Sequence, residues 1–360
     1  MNETPKISNG QFVTLLLASR LSNCLLFSSE SFRGFSLRDC VLSMLLSGIL
    51  SFLIFLPTLL ALKGPDKGLL QLAQTVGRPL EKTISGAYIL LCVFVLALDI
   101  VQFSDFAAKT MKTGLSVPVL TLALITACLL ASFYGIQALG RSATLVTVFS
   151  VLCLAIFGIS LLPEVSSIHF PPQTHSGMMH IWEKAITELP RTAEALSLGL
   201  LYPYVKGSRT RACLSFSGLT SLFSIMVSLI SVGVLGDFSG MTQYPFYAAI
   251  TAAQIGVFQR LDILVTAVWL GTFFIRFTLF SQLLLHCSET LLGKRARLPV
   301  GAIALVLFGI VAFYIQSGSY SGEWQLVTQI YWWVLGVFGV FVPIVLCILH
   351  AVRRKKHATI

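Results

Sequence analysis

The feature that most constrains this chain is a succession of apolar runs separated only by short polar breaks. A helix that crosses a bilayer needs about 20 apolar residues, because a rise of about 1.5 Å per residue must cover roughly 30 Å of hydrocarbon. Hydropathy places ten such runs, near 8-28, 39-62, 84-104, 115-134, 142-162, 192-206, 212-236, 258-286, 298-316 and 328-350. With 56% hydrophobic and 11% charged residues and a mean hydropathy of +0.85, the chain lacks the charge, about a quarter of all residues, that a water-soluble surface requires. The expectation is an all-α integral membrane protein of ten transmembrane helices. It forms one polytopic domain over 1-360, with a first half about 7-162, a second half about 192-350 and a long outer loop 163-191.

The sixth run is too short. From Ala193 to Val205 it offers 13 residues, about 20 Å of helix, so part of it must be unwound or stretched. Pro203 has no amide hydrogen and leaves the Gly199 carbonyl without its helical partner. Free backbone groups at that depth face protein or a water-lined cavity, and in secondary transporters such broken helices form the substrate site. The alternative is a proline kink satisfied by neighbouring helices. If the five-plus-five halves are inverted repeats, helices 1 and 6 are the discontinuous pair, and the first run does carry Ser19, Arg20, Ser22 and Asn23.

With the N-terminus inside, one side collects Lys6, Lys63, Lys67, Arg78, Lys82, Arg141 and the basic groups at 206-211, 294-297 and 353-356. The other receives only Arg33, Arg38, Lys109, Lys112, Lys184 and Arg191. Both termini are therefore expected in the cytoplasm. The net charge of +10 is thus a topology signal and not a nucleic-acid surface. In the outer loop, Met178, Ile181, Trp182, Ala185 and Leu189 recur at helical spacing, which reads as an amphipathic helix on the outer interface. His169, His175 and His180 fit no common metal spacing, so no metal and no cofactor are expected. The loop 237-257, with Tyr244 and Pro245, reads as a re-entrant or lid segment. Eight cysteines without a CxxC pair read as core residues.

Ionisable groups inside apolar runs mark function by default. Arg20, Asp99 and Asp262 fall at similar depth below the outer surface, and Arg20 is expected to pair with Asp99 or Asp262 at the mouth of a cavity, unless each snorkels to the interface. Arg276 is far enough along its run to snorkel to the cytoplasmic surface, while Thr278, Ser281 and Gln282 are polar enough to line a cavity. The expected ligand-binding set is Ser19, Ser22, Asn23, Asp99, Gln102, Gly199, Tyr202, Pro203, Thr278 and Gln282, with Arg20, Asp262 and Arg141 as structural or gating charges. No HExxH, GxSxG or GxxxxGK[ST] is present, so an enzyme is not expected.

Three stretches read together carry a resemblance: YGIQALGRSATL at 134-145, GLLYPYVKG at 199-207, and YP at 244-245 followed by GVFQRLDILVTAVWLGTFFIR at 256-276. In this order they resemble the spore germination permease-like subunits, the B subunits of nutrient germinant receptors, of the amino acid-polyamine-organocation superfamily. The resemblance implies ten helices in two inverted five-helix halves, an inner spore membrane location, and assembly with a membrane-bound A subunit and a lipoprotein C subunit. By position it marks Gly135, Arg141, Tyr202-Pro203-Tyr204 and the pair Arg260 and Asp262. Gln137 stands where many members have a glutamate. The expected function is nutrient binding, of an amino acid above all, in a transporter-like pocket that triggers germination through partner subunits. The alternatives are a working amino acid or cation transporter and a subunit that only scaffolds its partners.

Overall fold

Two serine capping boxes start the chain's first long helices. Ser8 Oγ accepts from the Gln11 amide at 3.2 Å while Gln11 Oε1 accepts from the Ser8 amide at 3.0 Å, which opens α1 (Asn9–Cys24). Ser36 and Asp39 repeat the device at the start of α2 (Leu37–Ala61). The computed structural model describes residues 6–27, 32, 36–62, 68–111, 116–165, 177–189, 192–252, 262–316 and 330–358. The order continues with α3 (Leu69–Val76), α4 (Arg78–Thr110), α5 (Val117–Ser132), α6 (Ile136–Leu161), α7 (Met178–Thr187) and α8 (Glu194–Leu201). Then come α9 (Arg209–Leu235), α10 (Pro245–Ala252), α11 (Asp262–Leu292) and α12 (Arg297–Gln316), and the last helix ends in Val342–Ala358 after a π-helical stretch, Leu335–Phe341.

Among the described residues, six helices are long and apolar enough to cross a membrane: α2, α4, α6, α11, Arg209–Gly240 and Ile330–Arg353. Val117–Ser132 and Arg297–Ala312 are shorter apolar helices. Rows of apolar side chains point outward, such as Leu45, Ile49 and Leu53 on α2 and Leu145, Leu152, Ile156 and Ile159 on α6. That surface suits hydrocarbon, and the protein is an integral membrane protein. Two elements lie innermost. Every residue of α1 from Leu15 to Cys24 is buried, and so is every residue of α8. α1 packs on α6, α9 and α11, and α8 touches α1, α2, α3 and α11.

The sixth run breaks where expected. α8 is eight residues long and passes into one 3-10 turn, Tyr202–Tyr204, before Val205 turns extended. Val205 forms a parallel bridge with Ile7: the Ile7 amide donates to Tyr204 O at 2.8 Å and the Lys206 amide donates to Ile7 O at 2.9 Å. The chain just past the break, at Tyr204 and Lys206, is thus stitched to Ile7, two residues before α1. Gly199 does not face a hollow. A Cβ there would lie 2.9 Å from Leu69 Cδ1, and its carbonyl and Pro203 press on Gly68 of the same turn. The first run is not broken at Ser19 to Asn23, since those residues are helical and all buried.

The outer-loop helix forms as expected over Met178–Thr187. Met178, Met179, Trp182 and Ile186 point outward, while Ile181, Lys184, Ala185 and Glu188 point in, Lys184 donating to Cys40 Sγ at 3.0 Å on α2. Its exterior mixes these apolar side chains with exposed His180 and Glu183, which suits the membrane interface. The loop 237-257 holds α10, whose Phe246, Ala249 and Ile250 are buried. Of the loop histidines, His169 and His175 lie outside the described residues, and His180 is exposed beside Glu183. Seven cysteines are buried and free and Cys347 is exposed.

Candidate functional site: a charge cluster where four helices meet

α4 runs for 33 residues, so Asp99 sits 11 residues from its end, about 16 Å deep and not near the mouth. Its partner is Arg276 on α11. Arg276 Nε donates to Asp99 Oδ1 at 2.8 Å and to Oδ2 at 3.0 Å, and Nη1 donates to Glu194 Oε1 at 2.6 Å. Ser19 Oγ of α1 donates to the same Glu194 oxygen at 2.8 Å. The side chains of Arg276, Asp99 and Glu194 are 1%, 3% and 0% exposed. One guanidinium therefore ties α4, α8, α11 and, through Ser19, α1. The Phe280 ring lies 5.3 Å from its Cζ, and Tyr331 borders the group.

This corrects two expectations. Asp99 is claimed by Arg276 and not by Arg20, because α11 and not α1 presents a cation at its level. Arg276 does not snorkel, since two carboxylates hold it in the interior. Arg20 is itself buried, with Nε and Nη1 lacking hydrogen-bond partners among the described residues. Asp262 is half-buried at the start of α11, away from the cluster, and Arg260 lies outside the described residues. Glu194, missed by sequence reasoning, opens α8 in its first turn, where a carboxylate is an ordinary helix-start residue.

The other expected residues distribute around the cluster. Ser22 Oγ donates to Ser19 O at 2.8 Å, Asn23 is buried one turn on from Ser19, and Gln102 is half-buried one turn beyond Asp99. Thr278 lies beside Cys128 of α5. Tyr202 stacks under Arg209 at 4.4 Å, and Pro203 packs on Gly68, so both belong to the Ile7 end. Gln282 lines a recess of about 170 Å³ there, with Gly135, Tyr204, His286, Glu289 and Arg297. Arg141 is exposed and joins no part of the cluster. Among the described residues no group of His, Cys, Asp and Glu could hold a metal ion.

Toward α10 the cluster is covered by aromatic rings. Phe103, one turn past Asp99, stacks on Trp269 at 5.2 Å, and Phe106 meets Trp269 at 4.1 Å and Tyr244 at 5.2 Å. Asp105 anchors this cover, accepting from Gln243 Nε2 at 3.0 Å, from the Tyr244 hydroxyl and from Lys109. Burial first, and then the Asp105 carboxylate, holds the Tyr244 hydroxyl above the usual tyrosine range, so it stays a donor.

The family model described as spore germination protein (spore permease) matches residues 6–320. The chain belongs to that family. Its members are permease-type membrane proteins and not enzymes. The fold is similar to that of Mhp1, a nucleobase-cation-symport-1 family transporter solved in a closed conformation with bromovinylhydantoin bound. The TM-score is 0.62 at 12% identity, over 93% of this chain and 78% of that one. No curated protein matches. In this family member two of the stretches that carry the resemblance meet at the Ile7 end. Gly135 takes φ +86° to start α6, Gln137 Nε2 donates to Lys6 O at 3.3 Å, and Gly140 packs on Ile7. Gly207, at φ +100°, leaves only 2.7 Å between a would-be Cβ and the Asn9 side-chain amide.

Proposed function

We propose that this chain is the B subunit of a spore nutrient germinant receptor in the inner spore membrane, with both termini cytoplasmic. It binds a small nutrient, an amino acid above all, and passes the signal to a membrane-bound A subunit and a lipoprotein C subunit. Ten crossings in two inverted halves fit the helices and the similarity to a transporter. The sixth is the broken run, α8 with the 3-10 turn that follows it.

The observation that carries the reading is the Arg276 bridge between Asp99 and Glu194, buried where α1, α4, α8 and α11 meet. Intramembrane charges of this kind are expensive and are kept for function. A nutrient that competes for Glu194 or Arg276 loosens α8 from α4, and binding shifts the protein as far as that competition favours the loosened state. The test is the nutrient dose–response of spores carrying Glu194→Gln or Arg276→Lys, with subunit abundance measured alongside. A half-maximal concentration unchanged at equal abundance would remove the cluster from sensing. The similarity to a symporter supports a second reading, a working transporter. Uptake of a nutrient by the purified chain in liposomes, without partner subunits, would favour it.

A further inference from the structure

Arg20 lies in the interior, 3% exposed, and its Nε and Nη1 meet no hydrogen-bond partner among the described residues. A buried guanidinium whose N–H groups go unmet is costly even with carboxylates in the same region. Its direction follows from its neighbours on α1. Ser19, about 100° to one side, reaches Glu194 of α8, and Cys24, one turn on and about 40° to the other side, reaches Ser224 of α9 at 3.5 Å. Arg20 therefore points into the wedge between α8 and α9. Glu194 faces the same region, with its second oxygen, Oε2, buried and unpartnered. Cys24 lies within electrostatic reach of Arg20, of Glu188 and of Glu194.

The main chain offers an anion little here. α1 is helical without interruption from Asn9 to Cys24, so its amides past the first turn are spent within the helix. At the start of α8 the Ala195 amide donates to Thr192 O at 3.1 Å and the Leu196 amide to Ala193 O at 3.0 Å. An anion in the wedge finds its donors in the Arg20 guanidinium. We propose that Arg20 is the anion receptor of the site: its free N–H groups take a small anionic group, and where that group is an amino acid's carboxylate, Glu194 Oε2 takes an N–H donor of the same ligand. This rests on the nutrient-binding reading and names the group by which a nutrient is recognised. The anion is either the ligand's own carboxylate or an inorganic ion such as chloride.

The full-length chain in nanodiscs, as wild type, Arg20→Gln and Arg20→Lys, is titrated with chloride, with acetate and with neutral amino acids each paired with its carboxamide. Thermal stabilisation and calorimetric affinity are the readouts. Wild type should bind the acids at least about thirty-fold more tightly than the amides, since truncating one side of a buried charge pair costs that much or more. Arg20→Gln should bind acid and amide within about threefold, and Arg20→Lys should lie between. If chloride or acetate stabilises wild type but not Arg20→Gln and no amino acid binds, the anion receptor stands and the nutrient reading falls. If amino acids bind Arg20→Gln as tightly as wild type, the nutrient reading stands and this proposal falls. Equal binding of acid and amide by wild type, or no response to any of these probes, also overturns it. Should Arg20→Gln prove too unstable to purify, an acid-to-amide ratio unchanged in Arg20→Lys does the same.

Discussion

Arg276 and Asp99 are 177 residues apart, yet the Arg276 Nε reaches both carboxylate oxygens of Asp99, at 2.8 and 3.0 Å, in the interior. With Glu194 on the same guanidinium, one positive charge faces two carboxylates. The geometry makes each charge depend on the others, and loss of one member should be felt more than loss of the set.

Arg276→Met removes the cation and leaves two carboxylates in a closed space. The expected cost is about 3 to 5 kcal/mol, the usual penalty for orphaning a buried charge. Replacing all three with apolar residues, in Arg276→Met, Asp99→Leu, Glu194→Leu, should restore most of that stability while abolishing nutrient response. Thermal unfolding of the purified variants in detergent reads the first effect and spore germination the second. A single Arg276→Met that unfolds at the wild-type temperature would show that the bridge bears little weight.

Gly199 tests how α8 is seated. Its Cβ would lie 2.9 Å from Leu69 Cδ1, the far end of a side chain that can move, so Gly199→Ala should cost about 1 to 3 kcal/mol. Leu69→Ala in the same chain should give back part of it. Gly68→Ala meets the rigid Pro203 ring at 2.9 Å and should cost more. The comparison is made on unfolding temperatures and abundance. If Leu69→Ala gives no relief, the contact between α3 and α8 is not what excludes a side chain at Gly199.

The break at Pro203 was legible in the sequence because a missing amide hydrogen is a local fact, and so was the shortness of the sixth run. The partner of Asp99 was not. Arg20 and Arg276 both lie within apolar runs, and only the packing of α4 on α11 decides which of them arrives at its level. Glu194 escaped notice because a carboxylate in a first turn already has a helix-dipole explanation, although its position at the head of an apolar run was the available signal.

On the α10 side, Asp105 is the common acceptor for Tyr244, Gln243 and Lys109, which makes it the anchor of the aromatic cover. Asp105→Ala should free Tyr244 and speed amide hydrogen exchange in α10, by about tenfold or more if the anchor holds about 1.5 kcal/mol. Exchange in the last helix, which lies elsewhere in the bundle, should not change. Unaltered exchange over Pro245–Ala252 would mean that Phe246, Ala249 and Ile250 hold that helix by burial alone.

At the opposite end the bridge between Ile7 and Val205 holds Tyr204, which lines the same recess as Gln282. Gly207 follows the bridge at φ +100°, where an alanine is strained and where its Cβ would strike the Asn9 side-chain amide at 2.7 Å. Gly207→Ala should therefore loosen the bridge without touching the charge cluster. With Cys347→Ser removing the exposed thiol, Gln282→Cys reports the opening through its rate of reaction with a polar maleimide. A cost of about 1.4 kcal/mol to the closed state should raise that rate about tenfold, each such increment being a factor of ten in population. A labelling rate that stays at the Gly207 value while the unfolding temperature drops would show that the bridge supports the fold and does not guard the recess.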